Sequence, residues 1–302
     1  IPLPPLKEQQ RIVEKLDTLF THLEVLNTRL ANIPKLIKNF KQAVLKQAVT
    51  GKLTEEWRVG KELSIWKYKR AEEVCELITK GTTPKSGGLK EIGDIPFLKV
   101  YNIVNQKINF KYKSQFISKE INEKVLKRSI VYPKTVIMNI VGPPLGKVAI
   151  IPNDYPQWNL NQALAIFKPL DSLIPNFVYY ILIEGEPINK IRQDFKGVVG
   201  QSNISLAQCR DFIFPIPSKK EQDEIVKRVE NLFAKADKIE EQYKILKEKT
   251  DSLPQAVLAK AFKGELVAQL DSDGSAKELL AEIQKLKAAV APKKKTKKKV
   301  KV

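Results

Sequence analysis

Side chains able to hydrogen-bond to a base edge or a phosphate gather in a few short loops of this sequence. Lys80-Gly-Thr-Thr-Pro-Lys-Ser86 offers ammonium groups at Lys80 and Lys85, and hydroxyls at Thr82, Thr83 and Ser86. Lys99, Tyr101 and Asn102 follow a β-prone run, Asn139, Asn161 and Gln162 sit at the ends of others, and Lys147 opens a further one. A last polar loop, Gly200-Gln-Ser-Asn203, adds Gln201, Ser202 and Asn203. Asn and Gln amides can pair with an adenine edge through two hydrogen bonds, while Lys takes guanine or phosphate. Each of these residues taken alone reads as an ordinary loop residue; the set is what points to nucleic acid.

The same sequence argues against chemistry of its own. An adenine methyltransferase needs an Asn/Asp-Pro-Pro-aromatic string to hold a flipped base, and the nearest string, Gly142-Pro-Pro-Leu145, has neither the leading amide nor the aromatic. There is no GxxxxGK[ST] phosphate loop and no convincing nuclease carboxylate cluster. His22 is the only histidine, and Cys75 and Cys209 lack CxxC partners, which all but excludes a zinc site. Two isolated thiols fit a reducing cytoplasm. No apolar run reaches the ~18 residues of a membrane span, and no secretory signal is visible.

Charge agrees with a polyanionic partner. The 302 residues carry a formal net charge of +19, and setting aside the seven lysines between Lys293 and Lys301 still leaves +12. A basic body suits nucleic acid.

The elements that must position these loops are announced by an internal repeat. Residues 1–53 align without a gap to residues 214–266 at a constant offset of 213, with 16 identities clustered at the two ends of the unit. The openings are IPLPPLKEQQRIVEKLDTLF and FPIPSKKEQDEIVKRVENLF; the closings are QAVLKQAVTGKL and QAVLAKAFKGEL. Between them runs a heptad seam: Ile12, Leu16, Leu19, Leu23, Leu26 and Leu30 in the first copy, continuing through Ile33, Ile37, Phe40 and Val44; Ile225, Val229, Leu232, Ala236, Ile239, Tyr243 and Leu246 in the second. Each copy is therefore expected to be a long helix of roughly 60 Å, bending or restarting near Pro34 and Pro254, and ending at Gly51 and Gly264. Two such helices on either side of a compact domain can meet antiparallel within one chain.

Residues 62–217 change character. Short β-prone runs at 95–101, 136–141, 147–151 and 163–167 alternate with turn clusters, and helical segments fit 69–79, 119–126, 175–183 and 186–195. The expected fold is α+β: a recognition domain with a twisted, mainly antiparallel sheet, flanked by two long repeated helices forming an antiparallel coiled coil. The expected segments are 1–61 (first long helix, with the end of a preceding domain at 1–6), 62–217 (the domain), 218–266 (second long helix) and 267–302 (tail). In the tail, 275–290 reads as an amphipathic helix, and Pro292 to Val302 as a disordered, lysine-rich stretch.

These pieces, in this order and spacing, resemble the specificity subunit of type I restriction–modification systems over residues 1 to about 290. The resemblance lies in the helix openings just quoted, in Gly81-Thr-Thr-Pro84 followed by Ile95-Pro-Phe-Leu-Lys99, in Gly142-Pro-Pro-Leu-Gly-Lys-Val-Ala149 followed by Asn161-Gln162, and in Gln201-Ser-Asn-Ile-Ser205 before the exit prolines. It implies a non-catalytic chain whose target recognition domain reads one half of a bipartite site in double-stranded DNA. The helices would act as a ruler and dock methyltransferase subunits. Adenine N6 methylation from S-adenosylmethionine, and Mg- and ATP-dependent cleavage by a restriction/translocase subunit, would belong to partners, with no cofactor on this chain. The family carries two recognition domains per chain and this sequence one, beginning at Ile1 without Met. That reads as a C-terminal half or a half-length subunit, which could pair with a second copy as a homodimer. The competing reading is a coiled-coil scaffold that binds protein partners without reading DNA.

Overall fold

The computed structural model describes residues 3–194 and 203–290; Gln201, Ser202 and the lysine-rich end lie outside them. In chain order the regular elements begin with α1 (Leu6–Val49), α2 (Glu55–Arg58), β1 (Lys67–Arg70), α3 (Ala71–Val74), β2 (Cys75–Lys80) and β3 (Ile95–Leu98). There follow β4 (Ile103–Val104), β5 (Lys107–Ile108), β6 (Phe116–Ile117), β7 (Val136–Asn139), β8 (Val148–Ile150), β9 (Asn159–Leu160) and β10 (Leu164–Pro169). The chain closes with α4 (Pro175–Glu184), α5 (Glu186–Asp194), α6 (Leu206–Arg210), β11 (Ile213–Ile216), α7 (Lys219–Lys263) and α8 (Ala276–Val290). Two compact units result: residues 38–236, and residues 1–37 with 237–302.

In the first unit a four-stranded sheet, ordered β2-β10-β7-β8, is antiparallel throughout. A second sheet, β6-β3-β9, is mixed, because β3 and β9 run parallel with Phe97 opposite Asn159. Strands β1 and β11 pair antiparallel, Lys67 opposite Ile216 and Arg70 opposite Ile213, so the domain's entrance and exit are zipped together. The main core joins Val136, Met138, Ala165 and Phe167 of the sheet to Phe177 and Ile181 of α4, and to Val44, Leu45, Ala48, Ile225 and Val229 of the long helices. On the other side of the sheet Trp158 packs edge-on against Phe110 and Tyr155.

The helix ends run antiparallel within each unit. In 38–236 the Lys41 ammonium lies 5.9 Å from the Phe233 ring centroid, and the Arg228 guanidinium donates to Leu53 O at 2.8 Å. In the other unit Lys247 Nζ donates to Asn27 Oδ1 at 3.4 Å, while Ile12 and Leu16 share a cavity wall with Leu258 and Ala261. Gly51 and Gly264 follow the helix ends at φ 76°, a left-handed conformation costly for any residue with a Cβ. Beyond α7 the chain turns back onto α1. Arg11 forms a two-pronged ion pair with Asp273 and donates to Ala268 O at 2.9 Å. The guanidinium holds the Asp273 carboxyl below the usual carboxylate range.

Three expectations need correction. Helices α1 and α7 do not restart at Pro34 or Pro254; each is assigned as one continuous helix through its proline. Residues 69–79 are mostly strand: β2 pairs along β10, Thr79 opposite Ile166 and Leu77 opposite Lys168, and only Ala71–Val74 is helical. Sheet pairing overrides the helix-like spacing of that segment. The third concerns the second seam. Ile239 and Leu246 are 51% and 44% exposed, whereas Glu240, Tyr243, Lys247 and Thr250 are turned inward. The inward positions step 232, 236, 240, 243, 247 and 250, so two successive four-residue steps shift the heptad by one residue. In the first copy Ile12, Leu30 and Ile37 are buried, and Leu16, Leu19, Leu23 and Leu26 half-buried, while Phe40 faces solvent.

Replacing Ile239 and Leu246 together by lysine is therefore expected to leave the unfolding free energy within about 0.5 kcal/mol of the parent, as surface changes do. Val229→Ala, in the packed part, is expected to cost about 1–3 kcal/mol. Chemical denaturation of the two variants checks this: a large loss from the lysine pair would restore the regular heptad.

Candidate nucleic-acid interface

Strand pairing brings the polar loops to one end of the four-stranded sheet. Lys80, which ends β2, lies opposite Ala165 near the start of β10. Asn139, the end of β7, lies opposite Leu164. Val148, the start of β8, lies opposite Met138, which places Lys147 beside them. The segments that carry Lys80–Ser86, Lys99–Asn102, Asn139–Lys147 and Asn161–Gln162 thus share an edge through backbone geometry alone.

Main-chain hydrogen bonds tie these segments together. Gly81 N donates to Leu164 O at 3.0 Å and Thr82 N to Leu160 O at 2.9 Å. Asn161 N donates to Leu98 O at 3.0 Å, and Ile140 N to Ala163 O at 2.9 Å. The Thr83 hydroxyl donates to Gln162 Oε1. Gly81 is buried against the carbonyls of Leu160 and Asn161, and a Cβ there would overlap both oxygens. Only glycine lets the loop lie this close to β9.

The side chains at this edge differ in what they can offer. Lys80, Thr83, Lys85, Ser86, Gln162 and Asn203 are exposed; Thr82, Lys99, Tyr101, Lys147 and Asn161 are half-buried. Asn161 Oδ1 is shielded from solvent and has no hydrogen-bond partner among the described residues. Asn203 bridges to Val141, and Ile204 N donates to Ile140 O at 2.8 Å, which fixes that segment at the same end.

Two of the expected contact residues are instead part of the fold. Asn102 is fully buried; its amide accepts from Lys99 N at 2.9 Å and donates to Tyr112 O at 2.9 Å. Asn139 is buried too; it donates to Pro144 O at 2.6 Å and accepts from Val141 N at 3.1 Å. Their hydrogen-bonding capacity is spent on shaping neighbouring loops, as buried amides require. Conversely, Tyr112, Lys113 and Gln115 extend the edge unforeseen. The Tyr101 hydroxyl shares its one proton between Lys113 O and Gln115 Oε1, each 3.3 Å away, and exposed Tyr112 stands edge-on to Tyr101 with ring centroids 6.0 Å apart. The signal for them was the string Lys111-Tyr-Lys113, basic and aromatic in alternation.

Cys75 and Cys209 are free and buried, their thiols pushed up to about 12 by burial, so neither is a nucleophile at neutral pH. Among the described residues no group of three or more His, Cys, Asp or Glu side chains could hold a metal ion, and no helix is long and apolar enough to cross a membrane.

A sheet end lined with cations and amides, carried between two repeated helices, defines a recognition module on a helical spacer. Comparison with known proteins gives the class its name. A profile for the type I restriction modification DNA specificity domain matches residues 64–248. The type I restriction enzyme EcoBI specificity subunit of Escherichia coli is 34% identical over 320 residues, covering 99% of this chain and 67% of that protein. The EcoKI specificity subunit of Escherichia coli strain K12 is 32% identical over 315 residues, covering 99% and 66%. The chain belongs to the family of type I restriction–modification specificity subunits. It spans about two thirds of the length of the curated relatives it matches. The fold is shared with the HsdS subunit from Thermoanaerobacter tengcongensis, at TM-score 0.60 and 22% identity over 88% of this chain and 61% of that one. It is shared also with a chain from a type I R-M system, at TM-score 0.66 and 22% identity over 88% and 62%.

Proposed function

We propose that this chain is a non-catalytic DNA-reading subunit that recognises one half of a bipartite duplex target through the polar end of its four-stranded sheet. The observation that carries the reading is the convergence of Lys80, Thr83, Lys85, Lys99, Gln162 and Asn203 on that single end, in a chain of net charge +19. Lysines there neutralise phosphates and set the register. Gln162 and Asn161 read bases, with Thr82, Ser86, Tyr101 and Lys147 beside them. The long helices set the distance to the other half-site and dock methyltransferase subunits. S-adenosylmethionine, ATP and Mg are used by those partners and by a restriction subunit, which carry the chemistry.

Selection from a pool of random duplexes tests the reading, and one enriched half-site is the expected result. Gln162→Ala is then expected to relax preference at one base pair by about 1–3 kcal/mol. Lys85→Ala is expected to weaken all sequences alike and to reduce the salt dependence by about one phosphate contact. Binding with no enriched sequence, lost at modest salt, would leave the chain a basic scaffold.

A further inference from the structure

Residues 109–115 form a turn whose middle is held out of the fold by its two ends. Phe110 packs edge-on among Phe116, Tyr155 and Trp158, at centroid distances of 5.2, 6.0 and 5.3 Å. Ser114 Oγ donates to Phe110 O at 2.6 Å, and the Tyr101 hydroxyl reaches Lys113 O and Gln115 Oε1. The buried Asn102 amide donates to Tyr112 O at 2.9 Å, and Asn109 N donates to Asn102 O at 2.8 Å. Lys113 is held at φ 51°, a left-handed conformation that lysine rarely adopts. Between these anchors Lys111, Tyr112 and Lys113 are all exposed, Tyr112 by 50%.

The same bonds fix this tip at the sheet end that carries Gln162. Asn102 holds Tyr112 and also accepts from Lys99 N, while the neighbouring Leu98 O accepts from Asn161 N at 3.0 Å. An exposed tyrosine alone means little, since single apolar residues are common on any surface. Here a fully buried amide and a left-handed lysine position one ring in water, where it contributes little to stability. Its contacts within the chain are loose ones: the Tyr101 ring edge at 6.0 Å and the Lys113 ammonium at 5.3 Å from the centroid. A phosphate can draw that ammonium away, since lysine carries a point charge on a flexible stem. Lysines on either side of the ring suit neighbouring phosphates of one backbone. A ring placed there can cover a base face only where a base step is opened.

We propose that Tyr112 is a stacking wedge: it enters the duplex beside the half-site, opens one base step and covers the exposed base face, while Lys111 and Lys113 hold the flanking phosphates. The inference rests on the reading of this edge as a DNA interface, and adds to it a contact that forms no hydrogen bond to a base edge. Such a contact selects by how readily a step opens. Pyrimidine–purine steps open most readily, so one of them is expected at a fixed distance from the half-site. The role is one that Gln162 cannot share, because an amide reads base edges in an intact groove.

The test uses the full chain and duplexes carrying the selected half-site, with a single mismatched pair moved one position at a time along its flanks. A mismatched pair is already loosened, so it lowers the cost of opening the step. At one position the parent is expected to bind about tenfold tighter than to the matched duplex, and Tyr112→Ala to gain nothing there. On the matched duplex Tyr112→Ala should bind about tenfold more weakly than the parent, the value of one base–aromatic stack. Tyr112→Phe should behave as the parent, because the ring is used and not the hydroxyl. Equal losses from Tyr112→Phe and Tyr112→Ala would overturn the proposal, as would a mismatch that tightens both proteins alike or neither. A substitution that merely disturbed the turn would weaken every duplex by one factor and keep the mismatch gain, which also counts against the wedge. An enriched half-site with no effect of Tyr112→Ala removes the wedge alone; no enriched sequence removes the half-site reading with it.

Discussion

Gly81→Ala is expected to cost the protein its selective DNA binding while leaving its helices intact. The added methyl would overlap the carbonyl oxygens of Leu160 and Asn161, both backbone atoms that cannot swing aside. The loop must lift, which breaks the bonds from Gly81 N to Leu164 O and from Thr82 N to Leu160 O, and carries Thr83 away from Gln162. Overpacking of this kind costs about 1–3 kcal/mol locally, and each 1.4 kcal/mol is a tenfold loss in affinity if the displaced loop makes the contacts. Affinity for a selected duplex should fall by about fivefold to a hundredfold, with the far-ultraviolet helix signal unchanged. Affinity within twofold of the parent would place the interface elsewhere.

Glu221→Ala is expected to be the most damaging single change to stability. It leaves the Trp66 indole N–H, the Thr54 hydroxyl and the Arg58 guanidinium without their shared acceptor at a buried junction. Leaving the Trp66 and Thr54 donors without an acceptor costs about 1–3 kcal/mol each, whereas Thr54→Val, which deletes one neutral donor, should cost about 1 kcal/mol. Denaturant unfolding followed by tryptophan emission separates the two. A loss below about 1 kcal/mol for Glu221→Ala would mean that the junction is held by apolar packing alone.

The sequence showed the repeat because its identities cluster where the physics is strictest. Pro4, Glu8, Gln9, Ala48 and Gly51 recur at junctions that tolerate few alternatives, while the helix middles keep only a pattern. That pattern misled where it was followed mechanically. Ile239 and Leu246 satisfy a regular heptad, but α7 shifts its inward face by one residue and fills it with Glu240, Lys247 and Thr250, which no apolar count would select. In the domain, residues 69–79 fit a helix locally, and only pairing with a strand about 90 residues onward makes most of that segment β2. The polar edge was legible as a list of residue types. Asn102 and Asn139 carry the right chemistry, but are used internally, which depends on burial and not on identity. Tyr112 and Lys113 join the edge only because Tyr101 reaches back across the turn to them.

The pairing of β1 with β11 has a consequence for how such chains can change. Everything between Lys67 and Ile216 leaves the helices and returns to them through one two-stranded stem. The domain is thus a cassette with adjacent cut points, and its exchange leaves the helices' own sequence and register unchanged. A replacement must bring a helix start that Gln222 can hold and an apolar helix face that packs on Leu45, Ala48, Ile225 and Val229. A single recombination event across that stem would give the subunit a new vocabulary while preserving its grammar.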